Sequence, residues 1–265
     1  MSTLDYSRRD FLKAAGSGAF SLGPYLEQLK GFSPPMGAFD AEDCWEHTYD
    51  VYPVYGKLSK WSKKHRGECC IKREVLSGED AFRLEVSSEV TFLDFGYGNH
   101  PTKTQLTRAS IQCAKNVLAT PQSWTLESAA LDAEEKPRPL SQMSESGVFA
   151  NGIIKLTNAE GASRKIDVSE NLTSNWSLFD AVQRLHKKEP PATDFEMLED
   201  LRLPRANQRL TSDGPIEIEL GGKKTRLYGY HQIGEGILPI HYWLDEQGRL
   251  LFALGGVRVY LWHSE

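Results

Sequence analysis

The chain has 265 residues, 40% of them apolar and 25% charged, with 31 Lys+Arg against 36 Asp+Glu. A net charge of −5 lacks the basic footprint that nucleic-acid binding requires, which excludes DNA and RNA as partners. Four cysteines are too few for a disulfide scaffold at this length, although an oxidising compartment would permit a bridge.

The first element is Ser7-Arg8-Arg9-Asp10-Phe11-Leu12-Lys13 followed by AAGSGAFSLGPYL, a weakly apolar stretch of 13 residues. That run has signal-peptide length, whereas a spanning helix needs about 20 apolar residues. Gly16, Gly18, Gly23 and Pro24 also oppose a soluble amphipathic helix, at roughly 1 kcal/mol per Gly and 3 for Pro. The pattern S-R-R-x-F-L-K, carried by Arg8, Arg9, Phe11, Leu12 and Lys13, resembles the twin-arginine (Tat) signal of exported bacterial proteins. That resemblance implies export in the folded state, the Tat translocase as a partner, and a periplasmic or cell-envelope location. No A-x-A cleavage site follows. Residues 1–40 are accordingly expected to be signal and linker, and 41–265 a single domain with no further transmembrane segment.

From residue 43 the periodicity is that of strands: DCWEHTYDVYPVY (43–55), CCIKREVL (69–76), AFRLEVSSEVTFLDF (81–95) and KTQLTRASIQCAKNVLA (103–119). Turn chemistry at SGED and GYGNHP separates them, and such short connections favour antiparallel neighbours. KLSKWSKKHR (57–66) is a basic hairpin loop in this scheme. SWTLESAALDA, GVFANGIIKLT and SRKIDVSE continue the pattern. Vicinal Cys69 and Cys70 on one strand must point to opposite faces.

Between 174 and 203 the apolar period becomes helical: Trp176, Phe179 and Val182, with Leu178 and Leu185 beside them. Ser174 or Ser177 can cap this segment, and Thr193 with Glu196 forms a second capping-box pattern ahead of FEMLEDLRL. A pair of short helices broken at Pro190-Pro191 is expected. Strands resume with IEIEL, a Gly221-Gly222 hairpin turn, TRLYGYHQI, ILPIHYWLD, a DEQG turn and RLLFALGGVRVYLW. Gly255-Gly256 reads as a bulge or bend within one long strand. Both faces of ILPIHYWL are apolar or aromatic, so that strand is expected to be covered on two sides, by the helical insert or by a ligand.

The predicted fold is mainly β: one large curved antiparallel meander of about a dozen strands, closing as a half-barrel, barrel or sandwich, since open sheets rarely exceed about 10 strands. The ending YWLDEQGRLLFALGGVRVYLW and the meander layout are distantly similar to uncharacterised exported bacterial β proteins. In these a long sheet half-wraps a helical element, an architecture shared with envelope lipoprotein carriers.

Candidate site residues are Trp176, Tyr228, Tyr230, His231, His241 and Trp243, which could line a pocket with a few convergent polar groups. Cys44, His47, His65 and Cys69 imitate zinc-ligand spacing. Strand geometry sets them apart, because Cys44 falls opposite about residue 75 and Cys69 opposite about residue 50, roughly 20 Å away. No metal or cofactor is expected. No G-x-S-x-G, S-x-x-K or H-E-x-x-H motif is present. The sequence therefore points to a non-catalytic envelope protein that binds an apolar or amphiphilic ligand, such as a lipid, or a partner protein. The alternatives are an exported hydrolase with a dispersed His/carboxylate site and a purely structural interaction module.

Overall fold

The structure, a computed structural model, describes residues 31–53, 67–92, 103–132, 134–138, 140–186, 192–255 and 258–263. The twin-arginine motif, the basic stretch 57–66 and GYGNHP lie outside the described residues. Fifteen strands and one helix are described. The first eight strands are β1 (Trp45–Pro53), β2 (Gly67–Val75), β3 (Ala81–Phe92), β4 (Lys103–Ala114), β5 (Pro121–Leu131), β6 (Met143–Ala150), β7 (Ile153–Asn158) and β8 (Ser163–Asp167). Then come β9 (Leu172–Ser174), α1 (Ser177–Arg184), β10 (Ala192–Glu199), β11 (Leu203–Leu220), β12 (Lys223–Ile233), β13 (Ile240–Leu244), β14 (Leu250–Gly255) and β15 (Arg258–Trp262).

All fifteen strands form one sheet in the order 8-7-6-5-4-3-2-1-15-14-13-12-11-10-9. Two meanders are thus joined where β1 pairs antiparallel with β15, and only β9 and β10 run parallel. The sheet curls until its β9 edge reaches β5. The Thr173 hydroxyl donates to the Leu118 carbonyl (2.7 Å) and Thr120 to that of Leu172 (2.6 Å). Strands β6–β8 run past this meeting point, and Arg202 beyond β10 pairs with Glu145 on β6 at 2.9 Å. Edge strand β8, SRKID, is short and mostly exposed, which guards it against pairing with another chain.

Turn residues act where the chain doubles back. Gly221 and Gly222 both take positive φ (54° and 75°) between the paired Leu220 and Lys223, the geometry of a type I′ hairpin. Asn151-Gly152 makes a further hairpin inside GVFANGIIKLT, again with both φ positive (51° and 71°). Gly255-Gly256 is not a bend in one strand. Gly255 pairs with Arg258, and β14 and β15 are antiparallel neighbours. The alternation on either side of the glycines belongs to two antiparallel strands.

The expected helical pair is half correct. Ser177–Arg184 is helical, opened by the Ser177 N–H donating to the Ser174 hydroxyl at 2.9 Å. FEMLEDLRL is instead β10 and the turn after it. A register shift between Phe195 and Met197 lets Phe195, Met197 and Leu198 all be buried, which breaks the two-residue alternation and imitates a helical stripe. Glu196, rather than capping a helix, accepts the Ser169 N–H (2.8 Å).

Candidate functional site

The enclosed face of the sheet is filled from within by α1. Eight residues are too few for a helix to persist alone in water, so tertiary contacts hold it. Leu178, Phe179, Ala181 and Val182 are all buried, and each large side chain contributes about 1.5–3 kcal/mol of burial. The Phe179 ring meets Tyr49 (5.4 Å between centroids), Tyr260 (5.3 Å) and Tyr242 (6.3 Å) edge to face.

Charge fixes the helix in register. Asp180, fully buried, lies between Arg184 (Nε to Oδ2, 2.6 Å) and Arg73 of β2 (Nε to Oδ1, 2.9 Å). Arg184 also donates to the Asn116 carbonyl (2.7 Å), and Arg73 to the Asp43 carbonyl (2.7 Å) and the Glu42 carbonyl. Both guanidiniums lie over the Phe82 ring. Burial pushes the Asp180 carboxyl up to about 6 in spite of the two guanidiniums. On the next turn, Gln183 accepts the Leu250 N–H at 3.0 Å. One short helix is therefore tied to β2, to the turn after β4 and to β14.

Beside it, His47 is buried between Trp45 (4.4 Å, stacked) and Trp262 (4.5 Å, edge-on). Burial, with the Arg249 charge nearby, lowers its pKa to about 3, so the ring is neutral. His47, Cys44 and Cys69 do not assemble as zinc ligands. Cys69 pairs with Tyr49 on the enclosed face, and burial raises its thiol to about 12. Cys44 is exposed beside Val75, close to the register expected from the sequence; His65 lies outside the described residues. All four cysteines are free, and Cys69 is buried while Cys70 is only partly so, as opposite faces require.

The six candidate binding residues are divided by the sheet. Trp176, Tyr230 and Tyr228 belong to the enclosed face: Trp176 precedes α1, the Tyr230 hydroxyl donates to the Leu185 carbonyl (3.0 Å), and Tyr228 meets the His186 ring edge-on. His231, His241 and Trp243 belong to the outer face. There the tip of the β11–β12 hairpin curls over β13–β15, burying Leu220, Leu227 and Phe32 against Trp243, Phe252 and Leu254. Strand β13 is thus covered on both sides, by α1 within and by the chain's own hairpin without.

At the border of that outer cluster, His231 and His241 stand directly opposite each other on β12 and β13. Between them projects Asp213, placed by a bulge in β11 where Gly214 takes φ +75°. The His231 Nδ1–H donates to Asp213 Oδ1 at 2.6 Å, while His241 Nδ1 lies 3.9 Å from Oδ2. The Asp213 side chain is 4% exposed, His231 15% and His241 10%. Burial alone would raise the Asp213 pKa, but the hydrogen bond from His231 and the proximity of His241 outweigh it, leaving the carboxyl below its usual range. Among the described residues no hydroxyl or thiol is hydrogen-bonded to either ring. Asp213 escapes notice in the sequence because it stands at a bulge inside an 18-residue strand, where periodicity does not mark it.

Open clefts line the outer surface. One of about 450 Å³ runs across β1–β5 past Glu46, Lys72, Glu85, Arg108 and Glu127. Another, of about 690 Å³, lies beside β10 and β11 and includes Asp194, Asn207 and Arg209. Both present a mixture of polar and apolar surface. No described helix is long and apolar enough to cross a membrane.

No family model matches the sequence, and no curated protein does. Among solved structures, the chain is similar to the crystal structure of a β-barrel-like protein of a domain of unknown function, DUF1849, from Brucella abortus. The TM-score is 0.55 at 7% identity, covering 83% of this chain and 95% of that one. At that identity the likeness is one of fold, and fold alone does not carry function.

Proposed function

We propose that this chain is an exported cell-envelope protein that works by binding a partner protein on its outer surface, rather than by enclosing a lipid. The observation that carries this reading is the occupied interior. The space inside the curled sheet is taken by the buried side chains of α1, held in place by a buried Arg73–Asp180–Arg184 cluster. Export is supported by the twin-arginine pattern at Arg8 and Arg9. Replacing both with lysine is expected to leave the protein in the cytoplasm, and unchanged localisation would remove the export half of the reading.

The binding half is tested by native mass spectrometry of the full chain mixed with total envelope lipid. The bare protein mass is expected. A stoichiometric lipid adduct would contradict it, and a second variant locates the fault. Cys113 Sγ lies 3.7 Å from Ser177 Oγ, so Ser177→Cys brings two sulfurs close to disulfide range. An adduct that disappears on oxidising this variant identifies α1 as a displaceable plug and the protein as a carrier.

The His231–Asp213 hydrogen bond favours one other reading, a hydrolase. A carboxylate fixing Nδ1 leaves Nε2 as the basic nitrogen of a general base. Hydrolysis of activated esters or peptides that vanishes in His231→Ala would establish it.

A further inference from the structure

The first and last described strands, β1 and β15, pair with each other, and the outer side of this seam carries a second cluster of ionisable groups. Asp50 on β1 stands directly opposite Glu68 on β2. His263, one residue past β15, is held alongside by its backbone N–H donating to the Thr48 carbonyl at 2.9 Å. Its Nδ1 lies 2.8 Å from Asp50 Oδ1, and one ligand atom from each of the three side chains lies within 4.8 Å of the other two. Asp50 and His263 are partly buried and Glu68 is exposed.

Two carboxylates facing each other across adjacent strands repel, and a sheet normally avoids that pairing. A bound cation reverses the sign of the interaction. An imidazole nitrogen with two carboxylate oxygens is a donor set of borderline softness, suited to zinc and its neighbours rather than to the all-oxygen preference of calcium or magnesium. Zinc bonds to such atoms are about 2.0–2.2 Å long, so ligands within 4.8 Å of one another converge on one ion by side-chain rotation alone.

We propose that Asp50, Glu68 and His263 bind a divalent transition-metal ion, Zn²⁺ fitting the donors best, on the outer face of the seam between the first and last strands. Three protein ligands leave a coordination position open to water or to a side chain of a bound protein. The ion links β1, β2 and the end of β15, fastening the chain's two meanders where they join.

The test is calorimetric titration of the chelator-stripped full chain with ZnCl₂. The wild type is expected to bind one equivalent. Because loss of an outer hydrogen-bond partner alone weakens metal sites by about 10–100-fold, Glu68→Gln and His263→Ala are each expected to lower affinity at least tenfold. A Cys44→Ser/Cys70→Ser double variant, which removes the two thiols not fully buried, is expected to bind like the wild type. The proposal is overturned if the wild type binds no zinc, if Glu68→Gln and His263→Ala bind it unchanged, or if binding is lost only in the cysteine variant.

Discussion

Strands β12 and β13 serve two interiors, and the two are built differently. On the enclosed side Tyr230, Tyr242 and Leu244 pack toward α1, whose position is set by ionic and hydrogen-bonded ties to β2, to the turn after β4 and to β14. On the outer side Trp243 is covered by a hairpin tip from the same sheet, with Gly229 pressed against the indole. The inner cover is an inserted element that needs specific charge to be located. The outer cover arrives by strand continuity and needs only apolar area and one missing side chain. The inner side should therefore be sensitive to changes of charge and pH, and the outer side to changes of volume.

The largest effect is expected from Asp180→Asn, which leaves the Arg73 and Arg184 guanidiniums buried without their shared counter-charge. Removal of one partner from a buried pair costs about 3–5 kcal/mol, measurable as a fall in the urea midpoint at unchanged slope. A loss below about 1 kcal/mol would mean that α1 is held by packing alone.

Next is the buried His47. Its folded pKa, about 3, lies below the ordinary 6.5, so the unfolded chain binds the extra proton and stability falls as pH drops from about 6.5 toward 3. Between pH 7 and pH 5 the loss attributable to this ring is on the order of 2 kcal/mol. His47→Phe is expected to flatten that part of the pH–stability curve, and an unaltered slope would contradict the assignment.

On the outer side, Gly229→Ala places a methyl group 2.7 Å from the Trp243 ring and 3.2 Å from Asp213 Cβ. The overpacking is expected to cost about 1–3 kcal/mol, with a shift in Trp fluorescence and no change in pH dependence. The smallest effect is expected from Arg209→Ala, which breaks an exposed pair with Asp194. Its unfolding midpoint should match that of the wild type.

Much of this arrangement is legible in the sequence. Gly221-Gly222, DEQG and the alternation of the strands announce an antiparallel meander, and the apolar character of both faces of ILPIHYWL announces two covers. Each misreading has a local physical cause. The bulge in β10 turns a strand's alternation into a helix-like stripe at Phe195, Met197 and Leu198. Leu254 and Phe252 face Val259 and Leu261 across an antiparallel pair, so the alternation of one strand continues into that of the next. The constellations are the least legible part. Asp180 and Arg184 are one helical turn apart, but Arg73 lies more than a hundred residues away, and Asp50 and His263 are 213 residues apart. The register of β1 on β15 brings the second pair together and the packing of α1 inside the sheet brings the first, and periodicity carries no information about which distant elements become neighbours.

Binding on the outer surface requires α1 to be a fixed part of the interior. Hydrogen exchange of the amides of residues 177–184, with and without envelope lipid, measures this directly. A helix held by buried charge and packing exchanges only through global unfolding, so its protection should equal that of β3 and β4 and should not respond to lipid. Faster exchange of α1 than of those strands, accelerated further by lipid, would show the helix to be a displaceable plug and would contradict the proposal that binding takes place on the outer surface.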